Sequence, residues 1–406
     1  MSNWNLHPST RSVNSKNPIK EAIADVPLPE NFHLPTYSLA LGDPTAFPEF
    51  SVHPLVIKLV EENLLSGSGN GYTHALGPKE AREALAAKYS YENIQLTWED
   101  VFLDVGGCGA IHTAMSVFLN PGDNILIPAP GFPLYMTVAW NLNAEARCYR
   151  LKPDQGWEVD FESLERIVDE RTKLLVIVNP SNPCGSVWTR EHLLEILEWC
   201  RAHKVCVLAD EVYHGMTYGK PHYPMGSLTD EVPVITIGAL SKIFLVPGWR
   251  CGWIIVYDKY KKCTDIKEGI FKIKNLLLHG VPFIANAIPR LFAEMPENYM
   301  SELMQKVKDR AEFVYEKVQE IPGLAMQMPE GSLYCMISIE TEKFEDIRNS
   351  VDFTEKLARE QGILVLPAEA LMSEKSFRIV LCSQLSILED AMGRIKEFVS
   401  FHLKSN

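Results

Sequence analysis

Val234-Ile235-Thr236-Ile237-Gly238-Ala239-Leu240-Ser241-Lys242 is an apolar run that stops abruptly at an amine. Arg250 follows eight residues later, inside Val246-Pro247-Gly248-Trp249-Arg250-Cys251-Gly252-Trp253. Low dielectric disfavours an ammonium ion, so a lysine closing a buried strand is poised to lose its proton. The neutral amine can attack an aldehyde and hold it as a Schiff base. The plainer alternative is a lysine that caps a strand and points to water. The neighbouring segments bear on the choice.

On either side of this run, strand-like and helix-like segments alternate. Val101–Val105 reads as a short strand, and Gly106-Gly107-Cys108-Gly109 turns from it into a helix over 110–119. Ile125-Leu126-Ile127 follows a turn at Asn120-Pro121-Gly122-Asp123. Residues 173–179 are nearly all Leu, Val and Ile, as in a strand covered on both faces. Thr189 precedes a helix with Leu193, Ile196, Leu197 and Cys200 at the helical period. Further strands are expected over 205–210, 234–240 and 252–257. Such alternation predicts an α/β fold whose mainly parallel sheet is covered by helices on both faces. Near residue 298 the pattern changes. Met300, Leu303, Met304, Val307, Ala311, Val314 and Val318 form one apolar stripe, ended by Ile321-Pro322-Gly323, and an α+β tail follows. The expected organisation is an N-terminal arm with part of a small domain over 1–50, a large domain over 51–297, and a small domain over 298–406.

The bulk composition narrows the function classes. The chain has 406 residues, 46% hydrophobic and 22% charged, with a net charge of -13. That charge argues against a broad nucleic-acid surface. No apolar stretch approaches the roughly 18 residues a membrane span needs. Nine scattered cysteines, none paired as Cys-x-x-Cys, suit a reducing, cytoplasmic compartment better than a disulfide framework. No His or Cys cluster has zinc-ligand spacing, so no metal is expected. Residues 1–20 carry Arg11, Lys16 and Lys20 without an acid, faintly like a transit peptide. Pro8 and Pro18 interrupt an amphipathic helix, and an extended arm is the expectation.

Several polar residues fall at strand ends, where open α/β sheets collect ligands. Gly106-Gly107-Cys108 opens a helix whose backbone N–H groups suit a phosphate. Asn179-Pro180-Ser181-Asn182-Pro183-Cys184-Gly185 follows the most apolar strand. Asp210 closes another and needs a cationic or hydrogen-bonding partner, unless it merely caps its turn. A lysine for a Schiff base, an acid for a ring nitrogen, hydroxyl donors, an aromatic face and an arginine-bearing phosphate cradle together suggest pyridoxal 5'-phosphate. No convincing Gly-x-Gly-x-x-Gly dinucleotide site competes.

Seven ordered strings carry a family resemblance: 41–45 (Leu-Gly-Asp-Pro-Thr), 70–72 (Asn-Gly-Tyr), 130–135 (Pro-Gly-Phe-Pro-Leu-Tyr), 179–185, 210–213 (Asp-Glu-Val-Tyr), Ser241-Lys242 and 246–253. The chain resembles the fold-type I aminotransferases, among them the tyrosine (aromatic amino acid) aminotransferase group, from Asn17 through Arg378. The resemblance implies a seven-stranded-type, aspartate aminotransferase-like large domain and a homodimer with shared active sites. It implies that Lys242 binds the cofactor and shuttles a proton, Asp210 pairs with the pyridine nitrogen, and Asn182 and Tyr213 bond its ring hydroxyl. By the same resemblance Phe132 should stack on the ring. Gly106, Gly107, Cys108 and Arg250 should hold the phosphate, with Tyr72 arriving from a second subunit. Arg378, whose planar fork matches a carboxylate, should clamp the substrate together with Asn182 and Gly42.

Three positions depart from the family pattern. Cys108 replaces the usual Ser or Thr, Ala239 replaces a phosphate-binding Ser, and Lys20 replaces the Arg of an Asn-Pro-Ile-Arg string. The implied reaction moves an amino group from tyrosine, phenylalanine or tryptophan to a 2-oxo acid such as 2-oxoglutarate. Phe47 and Phe50 are candidates for lining an apolar pocket, or else packing residues. The alternatives are a broad aminotransferase tolerant of alanine or aspartate, or a carbon–sulfur β-lyase on the same fold. A third, a cofactor-sensing transcription regulator, conflicts with the acidic charge and the short segment ahead of Asn17.

Overall fold

The computed structural model describes residue 4, residues 6–24 and residues 32–404. Its main sheet has eight strands in the order Val101–Val105, Cys251–Tyr257, Val234–Ala239, Cys206–Asp210, Thr172–Val178, Asn124–Ala129, Glu145–Lys152 and Glu158–Val159. The five strands from Val234–Ala239 to Glu145–Lys152 pair in parallel. Cys251–Tyr257 runs antiparallel to both of its neighbours, and the two-residue strand Glu158–Val159 adds an eighth to the seven expected.

Burial on two faces explains the uninterrupted apolar runs. Leu175 and Ile177 enter one core cluster, while Leu174, Val176 and Val178 enter the cluster on the other face. Val207 and Ala209 alternate with Leu208 in the same manner. This is the period-two geometry of a strand with both faces covered.

A second sheet, antiparallel throughout, takes the order Leu324–Ala325, Tyr334–Ile339, Ser376–Val380 and Leu366–Pro367. The expected apolar stripe lies on the helix Tyr299–Gln319, which buries Leu303, Met304, Val307, Ala311, Val314 and Val318. That helix and the helix Leu385–His402 share a core cluster with the second sheet. The chain's early segment joins the same end of the molecule: Tyr37 and Ser38 pair in parallel with Ile363 and Leu364, and Leu39 exchanges backbone hydrogen bonds with Leu364 and Val380.

The segment before residue 25 corrects the expected extended arm. It forms two short helices, Thr10–Asn14 and Pro18–Ala24. Ser9 caps the first through its side chain, and Pro18 stands at the first position of the second, where a missing N–H costs nothing. Arg11 donates to Asn141 Oδ1 at 2.8 Å, and Thr137 donates to the Lys16 carbonyl at 2.7 Å, tying the arm to the helix Leu134–Asn141. Phe50 is buried beneath the Arg310 guanidinium and Phe47 packs against the same cluster, so both are packing residues. All nine cysteines are free thiols. No helix among the described residues is long and apolar enough to cross a membrane.

Candidate active site

From Asn124–Ala129 the chain passes outward to Glu145–Lys152, then returns to Thr172–Val178 and builds the sheet in the other direction. That reversal makes the crevice between Asn124–Ala129 and Thr172–Val178 the topological switch point, where ligands are expected beyond the carboxyl ends. A cavity of about 380 Å3 lies there. Gly42, Gly107, Cys108, Phe132, Asn182, Asp210, Tyr213, Lys242, Arg250 and Arg378 all line it. Two expected residues do not. Gly106 sits just behind the lining, and Tyr72 stands on a separate surface, 97% exposed.

Lys242 is not the last residue of its strand. The strand ends at Ala239, and Lys242 follows on the one-turn helix Leu240–Ile243, half-buried. Its Nζ donates to the Gly42 carbonyl at 2.6 Å across 200 residues of sequence. The apolar strand therefore delivers the turn, and the turn aims the amine.

Asp210 is 3% exposed. The Tyr135 hydroxyl donates to its Oδ2 at 2.5 Å and the Val212 N–H to its Oδ1 at 3.2 Å. Burial pushes its carboxyl up to about 6, against the lowering effect of these two donors. Among the described residues no cationic side chain pairs with it. A buried carboxylate in this state calls for a cation from outside the chain.

The turn at Gly106 is built by close backbone approach. Gly106 has φ +68°, and a Cβ there would meet the Arg250 guanidinium at 2.6 Å. A Cβ on Gly252 would lie 2.5 Å from the Gly106 carbonyl carbon, so the antiparallel strand presses against the turn. The helix Gly106–Phe118 starts at this point, and Val105 offers its leading N–H groups no side-chain cap. Uncapped N–H groups beside a guanidinium form an anion site. Ala239 lines the same wall and brings no donor.

On the opposite wall, Arg378 is buried and lies 4.4 Å over the Tyr334 ring. Its Nη1 donates to Asn182 Oδ1 at 2.9 Å and its Nη2 to the Ala40 carbonyl at 2.7 Å, while Nε has no hydrogen-bond partner among the described residues. Burial lowers its affinity for its proton. A guanidinium held on two corners with an unspent donor is ready for an anion. The Tyr213 hydroxyl donates to Tyr334 at 2.9 Å.

Tyr135 and Tyr334 are the side chains that sequence reasoning passed over. Tyr135 stood inside the quoted Pro130–Tyr135 string, and its contact with Asp210 spans 75 residues. Tyr334 lies on the second sheet with no local signal around it. Asn17, Ile19 and Lys20 also line the cavity, so the departure at Lys20 falls on the site itself.

These residues fit pyridoxal 5'-phosphate. An acid without a cation, an amine across the cavity, a helix start free of caps and an arginine with a spare donor are the complements the cofactor and an amino-acid carboxylate require.

Residues 37–395 match the family model described as aminotransferase class I and II. The chain is 36% identical over 401 residues to mouse tyrosine aminotransferase, covering 98% of this chain and 88% of that one. Its fold matches the crystal structure of tyrosine aminotransferase from Leishmania infantum with TM-score 0.95 at 28% identity, covering 99% of this chain and all of that one. It also matches an alanine aminotransferase from Pyrococcus furiosus with TM-score 0.91 at 27% identity, over 98% of this chain and 100% of that one.

Proposed function

Because this chain belongs to the aminotransferase class I and II family and works with pyridoxal 5'-phosphate, we propose that it moves the amino group of an aromatic amino acid to a 2-oxo acid. The observation that carries the reading is the joint lining of one cavity by Lys242, Asp210 and Arg378. When bound, the cofactor supplies an aldehyde for the amine and a protonated ring that accepts electron density from the substrate's α carbon.

The chain's own residues supply the rest. Asp210 would keep the ring nitrogen protonated, and the Tyr135 hydroxyl holds that carboxylate in place. Lys242 Nζ removes and returns a proton at the α carbon. Gly106, Gly107, Cys108 and Arg250 would hold the phosphate, Phe132 would cover the ring, and Asn182 and Tyr213 would donate toward its hydroxyl. Arg378 grips the α-carboxylate through its free edge, with Asn182 and Gly42 alongside, fixing which bond lies near Lys242. Two half-reactions then share one site in a ping-pong cycle.

Tyrosine, phenylalanine and tryptophan are the proposed donors and 2-oxoglutarate a proposed acceptor, supported by the names of the mouse and Leishmania relatives. Ile19, Leu41 and Ile111 give the cavity apolar surface for a ring. The alanine aminotransferase likeness favours a second, broader specificity. We further propose a cytoplasmic homodimer in which Tyr72 serves the partner's phosphate, and a division at 50 and 297 into arm, large and small domains. Support for the dimer is the exposure of Tyr72, Leu65 and Leu276, large apolar side chains facing solvent. Support for the division is the separate core around the helix Tyr299–Gln319.

Mixing the holoprotein with single amino acids while following the cofactor's visible absorbance tests the specificity. Loss of the band with tyrosine and phenylalanine but not aspartate is expected; an equal response to every amino acid removes the aromatic reading. Pyruvate release from cysteine conjugates without an oxo acid would instead favour β-elimination.

A further inference from the structure

We propose that Glu211, His214 and His222 form a binding site for one divalent transition-metal ion of the zinc class. One donor atom from each lies within 4.8 Å of the other two. Glu211 is buried; its Oε1 accepts from the Met225 N–H at 2.8 Å, while its Oε2 has no hydrogen-bond partner among the described residues. That Oε2 faces His214 Nδ1 at 3.7 Å, and this nitrogen too is buried without a hydrogen-bond partner among the described residues. Two unspent donors thus face each other across the gap a small cation fills.

The third donor is already oriented. His222 Nε2 lies 3.2 Å from the Asn179 carbonyl, which can only accept, so Nε2 carries the proton and Nδ1 keeps its lone pair. The Gly215 N–H reaches that Nδ1 at 3.4 Å, a long contact that a metal displaces at small cost. The two imidazole rings stand 4.9 Å apart, nearly perpendicular.

Bond lengths of about 2.0–2.1 Å put two tetrahedral zinc ligands roughly 3.3 Å apart. The 3.7 Å between Glu211 and His214 therefore needs only a small side-chain rotation. Two imidazoles and one carboxylate are borderline donors, suited to Zn2+ or Co2+ rather than Mg2+ or Ca2+. Burial keeps both imidazoles neutral, the ligating form, with their pKa values down at about 4. The same burial pushes Glu211 up to about 7, and a dication would restore its charge.

His214 also lines a second cavity with Lys88, Tyr89 and Phe292, which offers an entry path. Lys88 is the opposing charge there. The sequence expectation of no metal weighed only His and Cys, and a carboxylate three residues before His214 completes the set. Because Glu211 and His214 bracket Val212-Tyr213, the ion would brace the turn that follows Asp210.

Equilibrium dialysis of cofactor-saturated protein, freed of unbound cofactor, against Zn2+ and then Co2+ tests the site. One ion per chain is expected, with affinity falling at least tenfold in H214N, H222N and E211Q. C108S should bind as the unaltered protein does, and the cobalt spectrum should lack a thiolate charge-transfer band. Folding of each variant is read from its circular dichroism, and near-isosteric E211Q decides the matter where a histidine variant does not fold. Binding retained in the folded variants, a thiolate band, or no ion bound at all overturns the proposal. None of these readouts depends on turnover, so they stand apart from the aminotransferase reading.

Discussion

Asp210 and Glu211 are joined by one peptide bond, are equally buried, and serve two different regions of the molecule. Strand alternation carries Asp210 to the face of Tyr135 and Glu211 to the face of Met225 and Tyr89. Burial raises both carboxyls, to about 6 and about 7. One opens onto the cavity that also holds Lys242; the other faces two histidines across the sheet. The difference teaches that a perturbed acid is not by itself a catalytic one. Which ligand it faces decides its use.

The sharpest break in this comparison comes from replacing the amine on the Asp210 side. K242A should lose about 10²–10⁴ in kcat, the contribution of a positioned proton carrier. Steady-state transamination measures it, and turnover near that of the unaltered enzyme would detach the cavity from the reaction. D210N should lose about 10²–10³ in kcat through lost electrostatic support, while E211Q stays within about tenfold. Equal losses would erase the distinction between the two acids.

R378K should raise KM about ten- to a hundredfold with a smaller change in kcat. A point charge cannot replace the fork that keeps Asn182 and Ala40 and still offers an edge. Y334F removes the hydroxyl that accepts from Tyr213 and should cost about 1 kcal/mol, a several-fold effect on kcat/KM.

Stability against pH separates the two acids without catalysis. Asp210 has its folded pKa raised from 3.8 to about 6, so the folded state holds the proton more tightly. Its contribution is therefore present at low pH and lost as pH rises from about 4 to 6, at most roughly 3 kcal/mol. Glu211 repeats this between its ordinary 4.5 and about 7. Thermal melts of the apoprotein should fall across both windows. Adding cofactor should flatten the Asp210 window and leave that of Glu211, and a uniform flattening would contradict the separation.

Much of this was legible in the chain. Runs such as 173–179 and 234–240 declare strands covered on both faces, and the residues that follow them declare the cavity rim. The limits are equally physical. Pro8 and Pro18 read as helix breakers, yet one precedes a helix cap and the other opens a helix, because proline disrupts only interiors. Phe47 and Phe50 read equally as pocket or core, since an apolar ring carries no sign of what it packs on. Tyr334 reaches the site from the second sheet, and its contact with Tyr213 spans 121 residues, which no local pattern encodes. Glu211 escaped notice beside Asp210 because alternation, not composition, sends the two apart.

Borohydride reduction of the cofactor-saturated protein, followed by peptide mass mapping, tests the central assignment most directly. The account predicts one pyridoxyl adduct per chain, on the peptide carrying Lys242 and absent in K242A. An adduct on another lysine, with the side chain at 242 unmodified, would contradict it.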